Sequence, residues 1–363
     1  MLALRALKGA VTPVLERIPV PEPGPRDVIV KVVAAGIAPG MLRLLETGAF
    51  PNLPTTLGHE AAGTVAAVGS DVSDVVIGDR VRVHPNLNCL ECGYCRTDRE
   101  MMCSRQAMIG HAAFGNVDMP LYDEYHNGGL AEYVRIPRWL MDPLPPSVSF
   151  DVGAKVHDLA NAVRALKCAD LPTGATVAVT AATGTMGTAT VKLAGHFGVG
   201  RLVLVGRDLE RLAGVRPLSG KVATEVVALD ELASDWAGTG GLTRALRAVA
   251  PQGIDAVVDF ISEGPAITQS MAALATGGTL VHMGANAAPL ALPAIAMMVN
   301  CWRFVGTRAC TRSDAQEVLR LLASGSLETD ELITHRYALA DAPAAMDAIQ
   351  RRAEPMWMTV VNP

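Results

Sequence analysis

The stretch from Gly174 to Arg207 constrains the fold more than any other part of the chain. It reads GATVAVTAATGTMGTATVKLAGHFGVGRLVLVGR, which is an apolar run, a glycine-rich turn, a helical stretch and a second apolar run. Two further apolar runs follow, GIDAVVDFI and GGTLVHMGA, and the stretch 266–275 between them is predicted to be helical. This alternation of strands and helices predicts a parallel, doubly wound α/β sheet.

The glycine-rich turn is a variant of the dinucleotide-binding fingerprint, with the pattern A-x-G-x-x-G. Gly184 lets the backbone approach a pyrophosphate, Gly187 lets the helix pack against the strand, and the helix N-terminus offers N–H groups to the phosphates. The predicted cofactor-binding residues of the turn are Ala182, Gly184, Thr185, Met186 and Gly187.

The end of the second strand bears on the choice of cofactor. An acidic residue there binds the ribose 2′-hydroxyl of NAD, whereas an arginine suits the 2′-phosphate of NADP. The sequence has Gly206 and Arg207, followed by Asp208. We therefore predict that NADP(H) is preferred over NAD(H), although Asp208 is near enough to serve NAD(H) instead.

The first 150 residues have a different pattern. DVIVKVVAAGI, AAGTVAAVG and GDRVRVHP are short valine-rich runs separated by glycine and proline, as strands and turns require. A proline-dense connector, DPLPPSVSF, ends this part at 142–150, and the tail from about residue 306 has mixed character, with a helix predicted near 313–324. The sequence predicts a second, β-rich domain beside the doubly wound one.

Four of the seven cysteines lie in the stretch CLECGYCRTDREMMC. Four thiolates on one short loop satisfy a tetrahedral zinc ion and leave no position for a substrate, so the site is predicted to be structural. Its ligands are predicted to be Cys89, Cys92, Cys95 and Cys103. The other cysteines, at 168, 301 and 310, stand alone and are predicted to be small buried side chains.

Composition argues against several functional classes. The formal net charge is −5 and no long basic run is present, so a nucleic-acid partner is not expected. The N-terminal MLALRALKGAVTP reaches glycine and proline too soon for a signal peptide, and the most apolar long stretch, 175–193, contains six threonines. We expect a cytoplasmic protein with a small-molecule substrate and no membrane partner.

Taken together, these motifs resemble those of the medium-chain dehydrogenase/reductase superfamily, in its zinc-containing alcohol dehydrogenase-like branch. GHEAAGTVAAVGSDV at 58–72 fits the family pattern G-H-E-x2-G-x5-G-x2-V, and the cysteine spacing, GDRV, GGLAEYV and the glycine turn follow in the family's order. The resemblance implies a GroES-like catalytic domain at 1–157 and 306–363 and a Rossmann cofactor domain at 158–305. It also implies a homodimer or homotetramer, for which the apolar stretch LALPAIAMMV at 290–299 is a candidate interface.

The chain departs from the family at the catalytic zinc. Ala38 stands where the family has a cysteine ligand, Gly40 where it has a proton-relaying hydroxyl, and Met41 where it has a carboxylate that orients a ligand. None of the three supplies the missing chemistry. His59 and Glu60 of the G-H-E segment are present, and His157, with Asp158 beside it, occupies the position of the family's third ligand.

Two interpretations of this centre stay open. A rearranged zinc held by His59, His157 and either Glu60 or Asp158 would polarise a carbonyl group. Alternatively, the catalytic metal is absent and a histidine donates the proton, whereas the segment LYDEYHNGG at 121–129 is interpreted as a polar loop.

The predicted function is NADPH-dependent hydride transfer to or from a carbonyl or alcohol carbon. The alternatives are reduction of an activated C=C or C=N bond without an active-site zinc, and a non-catalytic NADPH-binding protein.

Overall fold

The computed structural model describes residues 1–115 and 117–363. These residues form two compact units, of which unit 1 comprises Met1–Ala160 and Cys310–Pro363 and unit 2 comprises Asn161–Ala309. The sequence-based boundaries were placed after residues 157 and 305. No helix in the described part of the chain is long and apolar enough to cross a membrane.

The N-terminal part of unit 1 is built mainly of strands. Its strands are β1 (Leu2–Ala6), β2 (Val14–Arg17), β3 (Asp27–Gly36), β4 (Thr55–Thr56), β5 (Glu60–Val68), β6 (Arg80–Val83), β7 (Asn86–Leu87), β8 (Ala107–Met108), β9 (Tyr133–Pro137) and β10 (Met141–Pro143). Its helices are α1 (Pro39–Glu46), α2 (Pro120–Tyr125) and α3 (Phe150–Ala169), the last of which continues into unit 2.

Unit 2 alternates strands and helices. The strands are β11 (Thr176–Thr180), β12 (Arg201–Gly206), β13 (Ala223–Ala228), β14 (Ile254–Asp259), β15 (Leu274–His282) and β16 (Arg303–Gly306). The helices are α4 (Thr185–Leu193), α5 (Leu209–Val215), α6 (Trp236–Thr239), α7 (Gly241–Val249), α8 (Ala266–Met271) and α9 (Ala294–Asn300).

The chain then returns to unit 1 through α10 (Arg312–Ala323), β17 (Ile333–Ala338), α11 (Ala342–Arg351) and β18 (Met358–Asn362). The main sheet of unit 1 has the order β10-β6-β5-β3-β18-β17, and β9 also pairs with β3. Most of its pairs are antiparallel, and Gly36 at the end of β3 lies opposite Glu60 at the start of β5. This register sets the position of Glu60 in the candidate site.

Unit 2 contains one six-stranded parallel sheet with the order β13-β12-β11-β14-β15-β16. Its central strands are almost wholly buried valine, leucine and alanine, as expected of strands covered on both faces. The sequence prediction of a doubly wound α/β domain beside a β-rich GroES-like domain is confirmed.

Three local predictions were wrong. The helix expected at 266–275 ends at Met271, because β15 already begins at Leu274 and pairs there with Ile254. The expected polar loop at 121–129 begins as helix α2, whose Tyr122 and Tyr125 are buried. Cys301, expected to be buried, is exposed at the end of α9.

Candidate functional site

The four clustered cysteines of unit 1 converge on one point. Their sulfur atoms all lie within 4.8 Å of one another, with distances of 3.5 Å from Cys92 to Cys95, 3.6 Å from Cys103 to Cys89 and 3.8 Å from Cys89 to Cys95. Four sulfurs bound at about 2.3 Å to a tetrahedral zinc lie about 3.8 Å apart. The donor set therefore fits a zinc ion with all four positions filled by protein.

The local backbone supports this site. The N–H of Cys95 lowers the pKa of the Cys92 thiol to about 7, which favours the thiolate that zinc binds. The loop is held to α10, since the N–H of Arg312 donates to Glu100 Oε1 at 2.5 Å and Ser313 Oγ donates to Asp98 Oδ2 at 2.6 Å. In the chain as described, this is the only group of three or more potential ligands brought so close together.

The three positions at which the chain differs from the family's catalytic-zinc segment lie at the N-terminal end of α1. Ala38 precedes the helix, Gly40 faces open space, and Met41 is fully buried in the hydrophobic core of unit 1. None of these side chains has a metal-binding or titratable group in this part of the fold.

The predicted site histidines come together in unit 1. His59 immediately precedes β5 and His157 lies within α3, and their ring centroids are 5.2 Å apart. A third histidine, His111, packs on His59 with ring centroids 4.7 Å apart. The three buried rings form a row with His59 in the middle.

The row continues at Cys310, whose Sγ lies 3.5 Å from His157 Nδ1. Burial raises the pKa of this thiol, so it is a neutral S–H group beside the imidazole. Burial also lowers the pKa of His59 to about 4 and those of His111 and His157 well below the usual range, which keeps the three rings neutral. Nδ1 of His59 and Nδ1 of His111 have no hydrogen-bond partner in the described structure.

The two predicted site carboxylates are bound to a lysine. Lys155 Nζ lies 2.6 Å from Glu60 Oε2 and 2.6 Å from Asp158 Oδ2, and all three side chains are at least 93% buried. Although burial alone would lower the pKa of Lys155, Asp158 and Glu60 raise it, so its ammonium group is charged. Burial, followed by the charge of Glu60, raises the pKa of Asp158 to about 6.

The sequence interpretation missed Lys155 and His111. Lys155 has one visible signal, because it lies three residues before Asp158, a spacing that brings two side chains together on a helix face. His111 belongs to no motif. The N–H of Gly58 donates to the carbonyl oxygen of Gly110, and this contact between distant segments of the chain brings His111 next to His59.

In unit 2, the glycine-rich turn connects β11 to α4. Gly184 caps α4 without a side-chain acceptor, and the helix begins at Thr185, so the N-terminal end of α4 lies directly after the turn, where doubly wound folds bind a pyrophosphate. A Cβ on Gly187 would overlap the carbonyl oxygen of Ala181 and lie 2.6 Å from Cα of Ala182. The site thus requires glycine at 187, as a dinucleotide-binding turn does.

The end of β12 presents Arg207 rather than Asp208. Arg207 is exposed directly after Gly206, the last residue of the strand. Asp208 is the N-cap of α5, where its Oδ1 accepts the N–H of Arg211 at 2.8 Å. The Asp208 carboxylate is therefore already engaged by the backbone of its own helix.

A buried polar network lies at the carboxyl ends of the neighbouring strands. Asp259, at the end of β14, accepts a hydrogen bond from Thr180 Oγ1 at 2.5 Å, and its other oxygen lies 2.6 Å from His282 Nδ1. Thr180 directly precedes the glycine-rich turn. The network fixes the strand ends at the edge of the sheet where doubly wound folds bind their cofactors.

Two family models match the chain. An alcohol dehydrogenase GroES-like domain matches residues 24–146, and a zinc-binding dehydrogenase domain matches residues 185–324. The first model lies within unit 1, and the second covers most of unit 2 and continues into the part of unit 1 that begins at Cys310.

Curated relatives and solved structures agree with the models. A sorbitol dehydrogenase of Bacillus subtilis is 26% identical over 94% of this chain and 91% of its own length, and an L-idonate 5-dehydrogenase of Vitis vinifera is 27% identical over 92% and 87%. The structure of a zinc-binding dehydrogenase from Sinorhizobium meliloti, bound to NADP, has a TM-score of 0.84 at 27% identity. It covers 100% of this chain and 99% of that one.

Proposed function

Because the chain belongs to the zinc-containing alcohol dehydrogenase-like family of medium-chain dehydrogenases/reductases, we propose that it transfers hydride between NADP(H) and a carbonyl or alcohol carbon. The chain is an oxidoreductase by its family. The relatives include a sorbitol dehydrogenase and an L-idonate 5-dehydrogenase, which supports a polyol or ketose as the substrate. Polyols and their ketoses are therefore the first compounds to test.

The side chains that follow β12 are the main support for a preference for NADP(H) over NAD(H). Arg207 is exposed where the adenosine ribose of a bound dinucleotide would lie, and its guanidinium group can pair with a 2′-phosphate. If Asp208 turned toward a ribose hydroxyl instead, it would give up its 2.8 Å capping bond to α5. The NADP-bound relative from Sinorhizobium meliloti supports the same choice.

Cofactor kinetics with an arginine variant test this proposal. Hydrogen bonds to charged groups contribute about 1.5–3 kcal/mol, so Arg207→Ala should lower kcat/KM for NADPH about 10- to 150-fold and leave that for NADH nearly unchanged. Lys221→Ala is the matched control, since it removes an exposed positive charge from a turn of the same unit. A wild-type enzyme that prefers NADH tenfold would contradict the proposal.

A second candidate function is reduction of an activated C=C or C=N bond. The contact of both site carboxylates with Lys155 favours it, because acceptors of this kind need less help from a Lewis acid. A panel of ketoses, simple ketones, enones and cyclic imines with NADPH separates the two candidates. Turnover confined to enones or imines would exclude the carbonyl and alcohol proposal.

The proposed assembly is a homodimer or homotetramer that uses the end of the unit 2 sheet. α9 exposes a cluster of apolar side chains, with Ile295 at 60%, Met298 at 67% and Val299 at 64% relative exposure. The adjacent β16 is the last strand of the sheet and exposes Phe304. A large apolar surface of this kind next to an open strand edge supports pairing with a second copy.

A further inference from the structure

Lys155 is bound to the two carboxylates from which a zinc ion at His59 and His157 would take its remaining protein ligand. His59 and His157 supply two neutral imidazoles, and a zinc with an open position needs one further protein ligand. The adjacent donors of suitable charge are Glu60 and Asp158, and each has an oxygen 2.6 Å from the Lys155 ammonium group.

We infer that Lys155 replaces the catalytic zinc as the cation of this centre, so that the chain binds one zinc ion, at the cysteine cluster, and none at the histidines. This inference rests on the proposed function only for identifying the centre as the reacting one. Lys155 is a positioning residue in this scheme, because it is bound directly to Glu60 and Asp158 and acts through them.

The charges of the three side chains argue against a second cation. The lysine and the two carboxylates are buried together, and the ammonium already compensates one negative charge. A zinc ion bound to either carboxylate, even through the unpartnered Oε1 of Glu60, would place two cations close together out of reach of water. Like charges at short range in a buried site oppose each other strongly.

The geometry of the histidines leads to the same conclusion. Ligands of one tetrahedral ion surround it, so each ligand atom is a close neighbour of every other. Here the ring centroids of His111 and His157 lie 4.7 Å and 5.2 Å from that of His59. The ligand atoms of these histidines do not form a set within 4.8 Å in the described residues, whereas the four cysteine sulfurs do. His111 therefore does not replace the cysteine that is missing at position 38.

Without a metal, the groups of this centre that face the reaction are the imidazoles of the three histidines. Their middle member, His59, directly precedes Glu60 in β5 and so is fixed by the strand that carries the lysine-bound carboxylate. The lysine cluster, which consists of Lys155, Glu60 and Asp158, thus holds the backbone of the G-H-E segment in place through charge pairing. A metal bound to His59 would otherwise hold this segment.

Zinc content per chain tests the inference, measured by elemental mass spectrometry after incubation with excess Zn²⁺ and desalting. We expect one zinc in the wild type, one in His59→Ala and none in Cys92→Ser. Lys155→Met, which keeps the length of the side chain and removes its charge, should raise the count to two, because Glu60 and Asp158 are then free for a metal. Lys155→Arg, which keeps a positive charge, is the matched control and should stay at one.

A wild-type count of two that falls to one in His59→Ala would overturn the inference. So would a folded Lys155→Met protein that still binds one zinc, because the lysine would then not be what excludes the metal. Where Lys155→Met does not fold, the zinc counts of the wild type and His59→Ala still test whether a zinc ion binds at the histidines. None of these measurements depends on turnover, so their outcome is separate from the fate of the proposed hydride transfer.

Discussion

Gly36 gives the sharpest test of the buried lysine cluster through stability. It is the last residue of β3 and lies opposite Glu60 in the sheet. A Cβ at this position would overlap Oε2 of Glu60 and lie 2.9 Å from its Cδ. In Gly36→Ala, the Glu60 side chain must therefore turn away from the position in which it binds Lys155.

The expected cost follows from the ion pair that is lost. Breaking a buried, hydrogen-bonded charge pair costs about 3–5 kcal/mol, and replacing a strand glycine by alanine returns about 0.5–1 kcal/mol through the unfolded chain. We expect Gly36→Ala to lower the free energy of unfolding by about 2–4 kcal/mol. Gly40→Ala is the matched control, because a Cβ there meets nothing within 4 Å and lies in helix α1, so it should stabilise slightly.

Equilibrium urea unfolding of the zinc-loaded protein, followed by circular dichroism, measures both effects. In a Glu60→Ala background the ion pair and the overlap with Oε2 are both absent, and only a tight contact of 3.0 Å with Cβ of residue 60 remains, so Gly36→Ala should cost much less there. A Gly36→Ala protein within about 0.5 kcal/mol of the wild type would refute the reasoning, since ordinary surface substitutions stay in that range. The same holds if the full cost persists without Glu60.

Four further outcomes are expected. Cys92→Ser should lose the zinc and make the loop at 89–103 sensitive to proteases, whereas Cys168→Ser, outside the cluster, should keep both properties. Burial lowers the pKa of His84 well below 6.5, as it lowers those of His59, His111 and His157, so the unfolded chain binds protons that the folded chain does not. Each of these histidines should lower the free energy of unfolding by about 1.4 kcal/mol per pH unit as the pH falls below about 6.5, and His84→Gln should reduce the measured slope by one such contribution. Asp208→Ala should lower the stability of unit 2 by about 0.5–2 kcal/mol through the lost cap, as seen in urea unfolding. Met298→Asp should shift the protein to a monomer in size-exclusion chromatography with light scattering, and an unchanged mass would place the interface elsewhere.

The sequence could predict those parts of the molecule whose chemistry is local in the chain. The strand, turn and helix around Gly184 and Gly187 follow from contacts within a few residues, and so does the cysteine loop, whose four sulfurs come from one short segment. The position of Arg207 at a strand end follows in the same way.

The lysine cluster was not predictable in this way, because its partners are far apart in sequence. Lys155 and Glu60 are separated by 95 positions and meet only once α3 packs on the sheet of unit 1. The same holds for His111, whose neighbour His59 belongs to a different segment. The sequence also misplaces the end of α8, since Leu274 lies only three residues after the helix and belongs to β15, where it pairs with Ile254.

The division of unit 1 into two separate stretches of chain has a consequence for how the protein is made. Unit 2 is one continuous segment, so all of its residues have left the ribosome while β18 is still to be synthesised. Until then, the end of β3 around Ala35 and Gly36 lacks the strand that pairs with it through Val360 and Val361. Nascent chains therefore carry an open sheet edge next to the unfinished site for most of their synthesis, and such edges invite aggregation. A chain that stops before Met358 should fold its cofactor unit and still accumulate as insoluble protein.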